Sequence, residues 1–169
     1  KYRHQKSALI FCGENGAREE ISYSALYHRV TVLVGGLKKY DIKPGDRIAG
    51  FMPNVIDCVV AMLATASLGA VWSSCSPDFG INGVLDRFGQ IKPRILFTTD
   101  GYYYNGKTLN SLEKVSGIAG SLPSIEAIVV CNHVTQNADL SLLHEAVPNK
   151  AIHLNDFIDP QAAPIEFVA

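Results

Sequence analysis

Arg47 to Gly80 reads RIAGFMPNVIDCVVAMLATASLGAVWSSCSPDFG, and the change of hydrophobic period inside this stretch decides the fold. Arg47 to Met52 is an apolar run of strand length, entered from the tight turn Lys43-Pro44-Gly45-Asp46. Val55 to Leu68 is then apolar on nearly every side and too long for a strand. It reads as a helix ended by Gly69, with Asn54 as its N-cap and Asp57 in its first turn. A helix apolar all round is predicted to lie buried between layers. Ala70 to Cys75 is the next strand. Strand, crossover helix and strand in that order predict two parallel strands with a helix packed across them.

Working outward, the same alternation continues on both sides. Upstream, Ser7 to Cys12 and Arg18 to Tyr23 flank a turn at Gly13, Asn15 and Gly16, which predicts a β-hairpin. Leu26, Val30, Leu33, Val34 and Leu37 then recur every three or four residues. They predict an amphipathic helix over Ser24 to Tyr40, capped by Ser22. Downstream, Ser76, Pro77 and Asp78 are start signals for a helix carrying Ile81, Val84, Leu85, Phe88 and Ile91 on one face, which Pro93 stops. Arg94 to Thr99 is a third strand. Asn110 with Glu113 makes a capping box for a helix striped by Leu112, Val115, Ala119 and Leu122, and Ile125 to Cys131 is a further strand. From about residue 132 the pattern is less regular, with Ala151 to Ile158 as one last candidate strand. The fold class is α/β: a mostly parallel sheet flanked by helices on both faces, with an N-terminal β-hairpin. Residues 1–169 read as a single compact unit without repeat or linker.

Composition bounds the function. The chain has 169 residues, enough for one ordinary domain and too few for two. Lysine and arginine number 15 against 16 acidic residues, so the net charge of -1 gives no electrostatic reason to expect nucleic acid or an acidic membrane as a partner. No stretch approaches the length of a membrane span, and no apolar leader follows the charged start. Cys12, Cys58, Cys75 and Cys131 lie far apart without a CxxC pair and fit a reducing, cytoplasmic setting. His4, His28, His133, His144 and His153 have no metal-ligand spacing, so no structural metal is expected. Trp72, in an apolar strand, is read as core.

Two segments could carry chemistry. Gly101-Tyr-Tyr-Tyr-Asn-Gly106-Lys107-Thr108 fits the GxxxxGK[ST] pattern of a P-loop and lies between a strand and a helix. Three tyrosines fill the interior, however, the predicted helix starts at Asn110 rather than at the lysine, and Asp156 is the only later candidate for a magnesium-binding aspartate. Three readings stand: a P-loop, a plain turn with a solvated lysine, or a phosphate contact of another kind made by Lys107 at the carboxyl end of a parallel strand. The second segment is Ser73-Ser-Cys-Ser76-Pro77-Asp78-Phe-Gly80, a polar turn between a strand and a helix. There Ser76 or Asp78 either caps the helix or belongs to an anion site. Cys75 has no histidine near it in sequence to activate it.

The order of these motifs resembles the N-terminal part of the adenylate-forming acyl-CoA synthetases. The residues that carry the resemblance are Ile21-Ser-Tyr-Ser-Ala-Leu26, Ile42-Lys-Pro-Gly-Asp-Arg-Ile-Ala49, Met52-Pro-Asn54, Ala61-Met-Leu-Ala64 and Leu68-Gly-Ala-Val71. Gly69 to Gly80, Gly83-Val-Leu-Asp-Arg-Phe88, Gln90-Ile-Lys-Pro93 and Tyr104-Asn-Gly-Lys107 resemble in particular the branch whose acid is acetoacetate. The acetate branch usually has a Gly-rich loop in place of Ser76-Pro77-Asp78. The resemblance implies that the chain is part of the large N-terminal domain of a two-step ligase using ATP, CoA and Mg²⁺, with acetoacetate as the acid. The partners implied are small-molecule substrates and the rest of the same polypeptide. The family's Ser/Thr/Gly-rich phosphate loop, its ribose-binding aspartate and its mobile domain are not among these residues. No catalytic residue is therefore assigned, and the isolated chain is expected to be inactive, as a piece cut at both sides with an exposed apolar patch. What the resemblance leaves here is the part that meets the nucleotide end of CoA: Ser76, Pro77 and Asp78, with Tyr104 and Lys107. Relatives tend to carry Arg near the last two positions, which makes Lys107 the better phosphate ligand. The alternatives are acetate, propionate or another short acid as substrate, and, in a different class, a free-standing P-loop-like nucleotide-binding module.

Overall fold

The computed structural model describes residues 4–167. The N-terminal hairpin pairs β1 (Ser7–Cys12) with β2 (Arg18–Ser22), and the helix α1 (Tyr23–Lys39) follows at once, its first turn capped by Ser22 Oγ, which accepts from the Ala25 N–H at 3.2 Å. Then come β3 (Arg47–Phe51), α2 (Ile56–Ser67), β4 (Val71–Cys75), α3 (Ile81–Ile91) and β5 (Ile95–Thr99). A second hairpin, β6 (Gly101–Tyr104) and β7 (Lys107–Asn110), precedes α4 (Leu112–Ser121), β8 (Ala127–Cys131), α5 (Ser141–Ala146), β9 (Ala151–His153) and α6 (Leu154–Phe157).

The central sheet has the order β4-β3-β5-β8-β9 and is parallel throughout. Because β4 and β5 lie on opposite sides of β3, successive crossovers run in opposite directions, and their common hand sends the helices to opposite faces. The residues of β3, β5 and β8 alternate accordingly. Ile48, Ile95, Phe97, Ala127 and Val129 pack under α1 and α2, while Ala49, Phe51, Leu96, Ile128 and Val130 pack under α3, α4 and α5. Burial on both faces explains why β5 and β8 read as unbroken apolar runs.

Packing shows where small residues are required. A Cβ on Gly50 would stand 2.5 Å from the Trp72 ring, so the indole lies across β3, half-buried against Phe97 at 6.2 Å between centroids. A Cβ on Gly36 would meet the Phe157 carbonyl at 2.5 Å, and its absence lets the end of α6 dock on α1. At the amino ends of the strands, Arg94 donates to Asp46 at 2.6 Å, to both Glu126 oxygens at 2.7 and 2.8 Å, and to the carbonyls of Tyr40 and Asp41. This guanidinium joins three connections that the apolar core does not reach.

Several expectations are corrected. The N-cap of α2 is Val55 rather than Asn54 and makes no side-chain cap bond. That helix is not buried all round, since Met62 and Ala66 face outward. Tyr23 and Tyr27 of α1 are exposed as well, and a largely apolar groove of about 500 Å³ lined by them runs between α1, Leu63 and Phe167. Trp72, read as core, is only half-buried, because β4 is an edge strand with Val71 half exposed. The segment 137–148 holds the short helix α5, and Ala151 to Ile158 is a strand only to His153. There pairing with β8 ends at Val130, and the chain winds into α6 so that Phe157 can pack between Tyr40 and Phe97.

Candidate functional site

All strands of a parallel sheet end on the same side, so the chain leaving β4 and the chain leaving β5 emerge together, flanking the end of β3. After β4 comes Ser76-Pro77-Asp78. The helix α3 starts only at Ile81, with Gly80 as its N-cap and no side-chain cap bond, which corrects the reading of Ser76 or Asp78 as a cap. The two side chains bond to each other instead: Ser76 Oγ donates to Asp78 Oδ2 at 3.0 Å and accepts from the Asp78 N–H at 3.4 Å. Pro77 between them is buried, whereas Ser76 and Asp78 are exposed.

After β5 the P-loop pattern forms a hairpin. Gly101 to Tyr104 is one strand, Lys107 to Asn110 the other, and Asn105 and Gly106 turn between them with φ of 49° and 70°. Positive φ at both turn residues marks the type I′ turn that closes a two-residue hairpin, and Asn-Gly adopts it at least cost. The backbone therefore pairs with itself, does not wrap a phosphate, and no helix begins at Lys107-Thr108; this overturns the P-loop reading. Gly101 is needed because a Cβ there would stand 2.5 Å from the Leu109 carbonyl. The helix α4 begins at Leu112 with Ser111 as its N-cap, one residue later than the expected Asn110; Asn110 Oδ1 nevertheless accepts from the N–H groups of Leu112 at 2.7 Å and Glu113 at 3.3 Å. Asp156, the other P-loop candidate, lies in α6.

The pairing register sets what each face of this hairpin presents. Tyr102 lies opposite Leu109 and Tyr104 opposite Lys107, so these four share one face. Tyr102 is buried and joins the two segments: its hydroxyl donates to the Pro77 carbonyl at 3.4 Å and faces Asp78. Burial first, then the nearby Asp78 carboxylate, pushes the Tyr102 pKa up, so this hydroxyl stays protonated and remains a donor. Lys114, in the first turn of α4, donates to the same carbonyl at 2.8 Å. Ser76, Pro77 and Asp78 thus lie on the side of the hairpin that also carries exposed Tyr104 and Lys107. Beyond them, the Arg87 guanidinium covers the Phe79 ring at 4.4 Å.

The opposite face of the hairpin is fixed by Asp100, which the sequence reading passed over. This carboxylate is only 6% exposed. It accepts from the N–H groups of His133 at 2.7 Å, Val134 at 3.0 Å and Thr135 at 2.8 Å, and from Thr135 Oγ1 at 2.7 Å. Burial works against its charge, but these donors outweigh burial and hold its pKa below the ordinary carboxylate range. The loop so anchored sets His133 edge-on to Tyr103 at 5.7 Å and to Phe11 at 5.9 Å. Glu14, at the tip of the first hairpin, accepts from the Asn105 N–H at 2.8 Å. A turn-forming aspartate after a buried strand was the available signal for Asp100. For Lys114 the signal was a lysine in a first helical turn, where the helix dipole disfavours a cation.

All four cysteines are free, and Cys75 and Cys131 are buried. Burial pushes the Cys131 thiol well up, away from nucleophilic use. Among the described residues no group of three or more His, Cys, Asp or Glu could hold a metal ion, and no helix is long and apolar enough to cross a membrane.

Known proteins resemble the chain over nearly its whole length. It is 38% identical to acetoacetyl-CoA synthetase of Gallus gallus over 99% of this chain and 26% of that protein. It is 44% identical to acetoacetyl-coenzyme A synthetase of Rhizobium meliloti over 95% of this chain and 24% of that one. Malonamoyl-CoA synthetase of Penicillium aethiopicum is 40% identical over 95% of this chain and 22% of its own. The solved structure of acetoacetyl-CoA synthetase from Streptomyces lividans superposes with a TM-score of 0.85 at 34% identity, covering 97% of this chain and 24% of that one. The chain thus spans about a quarter of the length of the relatives it matches. Residues 1–165 match the family described as AMP-binding enzyme, and the chain belongs to that family.

Proposed function

We propose that the chain is the N-terminal part of an acetoacetate–CoA ligase and that it supplies the surface that holds the nucleotide end of CoA. In the complete enzyme, an acetoacetate oxygen attacks the α-phosphorus of ATP, a P–O bond forms and pyrophosphate leaves. The CoA thiolate then attacks the acyl carbonyl, and AMP departs with the oxygen it gained. The observation that supports a binding role is the convergence of the Ser76-Pro77-Asp78 turn with the hairpin face bearing Tyr104 and Lys107, at the carboxyl ends of β4 and β5. Lys107 is exposed and free to act as a point charge on a phosphate, while Ser76 and Asp78 offer polar groups to sugar or base.

Among the described residues no group of three or more His, Cys, Asp or Glu could hold a metal ion. Mg²⁺ belongs with the phosphates of ATP as substrate, and these 169 residues alone carry no adenylation. The reading includes a reducing, cytoplasmic location, on the four free thiols. A second acid is favoured by one observation, the similarity to a malonamoyl-CoA synthetase at 40% identity. The acyl pocket is then set by residues outside this chain, and only the CoA end is common to both.

The test uses the full-length protein. Acetoacetate-dependent formation of acyl-CoA and AMP, faster than with acetate, propionate or malonamate, is the expected result; preference for another acid overturns the substrate. Lys107→Ala should raise the KM for CoA about fivefold, the cost of one exposed charge-assisted contact, with the KM for ATP unchanged. A raised KM for ATP with an unchanged KM for CoA would assign the lysine to the other nucleotide.

A further inference from the structure

We propose that Lys114 is a positioning residue for the Ser76–Asp78 turn: by holding the carbonyl of buried Pro77 it keeps the Ser76 and Asp78 side chains turned toward the ligand. The inference rests on the CoA-end reading above and names a residue that never touches the ligand in it.

Three features carry it. Pro77 is buried between exposed Ser76 and Asp78, so the turn is pinned at its middle residue and its two polar side chains are left outside. A buried carbonyl requires donors, and this one has two from elements distant in sequence, Lys114 Nζ at 2.8 Å and Tyr102 Oη at 3.4 Å. The shorter bond is also the charge-assisted one, so Lys114 supplies most of the hold. Finally, Lys114 occupies the first turn of α4, where the helix dipole disfavours a cation; the Pro77 carbonyl offsets that cost, and a neutral residue would avoid it. Tyr102 ties the same carbonyl to the hairpin face of Tyr104 and Lys107, so the two halves of the surface share one anchor.

Lys114→Met, Lys114→Arg, Tyr102→Phe and Lys107→Ala, each in the full-length protein, test this through kcat and the separate KM values for CoA and ATP. Lys114→Met should raise the KM for CoA roughly tenfold, as loss of one charge-assisted hydrogen bond implies, with kcat at saturating CoA and the KM for ATP within about twofold. Lys114→Arg, which can still donate to the carbonyl, should recover most of the loss. Tyr102→Phe removes the longer bond, together with the hydroxyl's contact with Asp78, and should raise the KM for CoA by a smaller factor, about two- to threefold; it decides the matter if Lys114→Met does not fold. An unchanged KM for CoA in Lys114→Met, or in Tyr102→Phe where it has to decide, overturns the positioning role while a raised value in Lys107→Ala keeps the site. Equal losses for ATP and CoA that Arg does not restore also overturn it, since that is the mark of a purely structural lysine. If neither Lys107→Ala nor Lys114→Met moves the KM for CoA, the site reading itself fails. A rise in Lys114→Met alone removes Lys107 from the site and keeps the role of Lys114.

Discussion

Asp100→Asn changes one atom in the carboxylate that anchors the second hairpin, and its cost can be worked out donor by donor. Asp100 Oδ1 accepts from the His133 and Val134 N–H groups, and Oδ2 accepts from the Thr135 N–H and hydroxyl. An asparagine keeps one oxygen, so an amide NH₂ takes the place of the other. The Thr135 hydroxyl can rotate to accept from it, but the Thr135 N–H then points at a donor and is left unsatisfied. One unsatisfied buried donor costs about 1–3 kcal/mol, and losing the charge weakens the remaining bonds, so a total of roughly 2–4 kcal/mol is expected. For a chain of this length, the melting temperature should fall by roughly 6–12 °C. Urea unfolding of the 169-residue chain at pH 7 gives the difference directly.

The pH dependence of that difference follows from the lowered pKa of Asp100. A carboxyl whose folded pKa lies below its unfolded value, about 3.9, contributes its stability above that value. The contribution is lost as pH falls through the lower folded value. The gap between wild type and Asp100→Asn should therefore be full at pH 5 to 7 and shrink below about pH 4. A variant within about 0.5 kcal/mol of wild type at pH 7, or a gap that widens with acid, would refute the role given to Asp100.

Two further substitutions probe the scaffold that holds the surface. Gly50→Ala would place a methyl group 2.5 Å from the Trp72 ring, and the strain should cost about 1–3 kcal/mol in urea unfolding, with a change in tryptophan fluorescence as the indole moves. Arg94→Ala removes a guanidinium only 24% exposed from Asp46 and Glu126 and leaves two carbonyls unserved. A loss of about 2 kcal/mol is expected, less than for a fully buried pair because Glu126 is solvated, with a melting temperature lower by roughly 4–8 °C.

The parallel sheet was legible because β3, β5 and β8 are apolar on both faces, because α3 and α4 carry a clear three-to-four-residue period, and because α2 is too long for a strand. Strand order was not, since nothing local says that β4 lies at the edge; Val71 and Trp72 look as apolar as any interior pair. The second hairpin was hidden by its own turn. Asn105-Gly106 is a strong hairpin signal, but Gly106-Lys107-Thr108 also completes a phosphate-loop pattern, and only backbone pairing separates the two. The turn at Ser76 to Asp78 was found as a polar break between a strand and a helix, while its anchors were invisible: Tyr102 and Lys114 reach Pro77 across 25 and 37 residues. Asp100 was missed for the same reason, as its donors lie more than thirty residues downstream.

The proposed CoA-end surface is tested most directly by amide hydrogen exchange in the full-length protein, with and without saturating CoA. Slower exchange confined chiefly to residues 76–80 and 102–109 on adding CoA, and no such change on adding ATP alone, is the predicted result. Protection by CoA elsewhere with those two segments unchanged would contradict it.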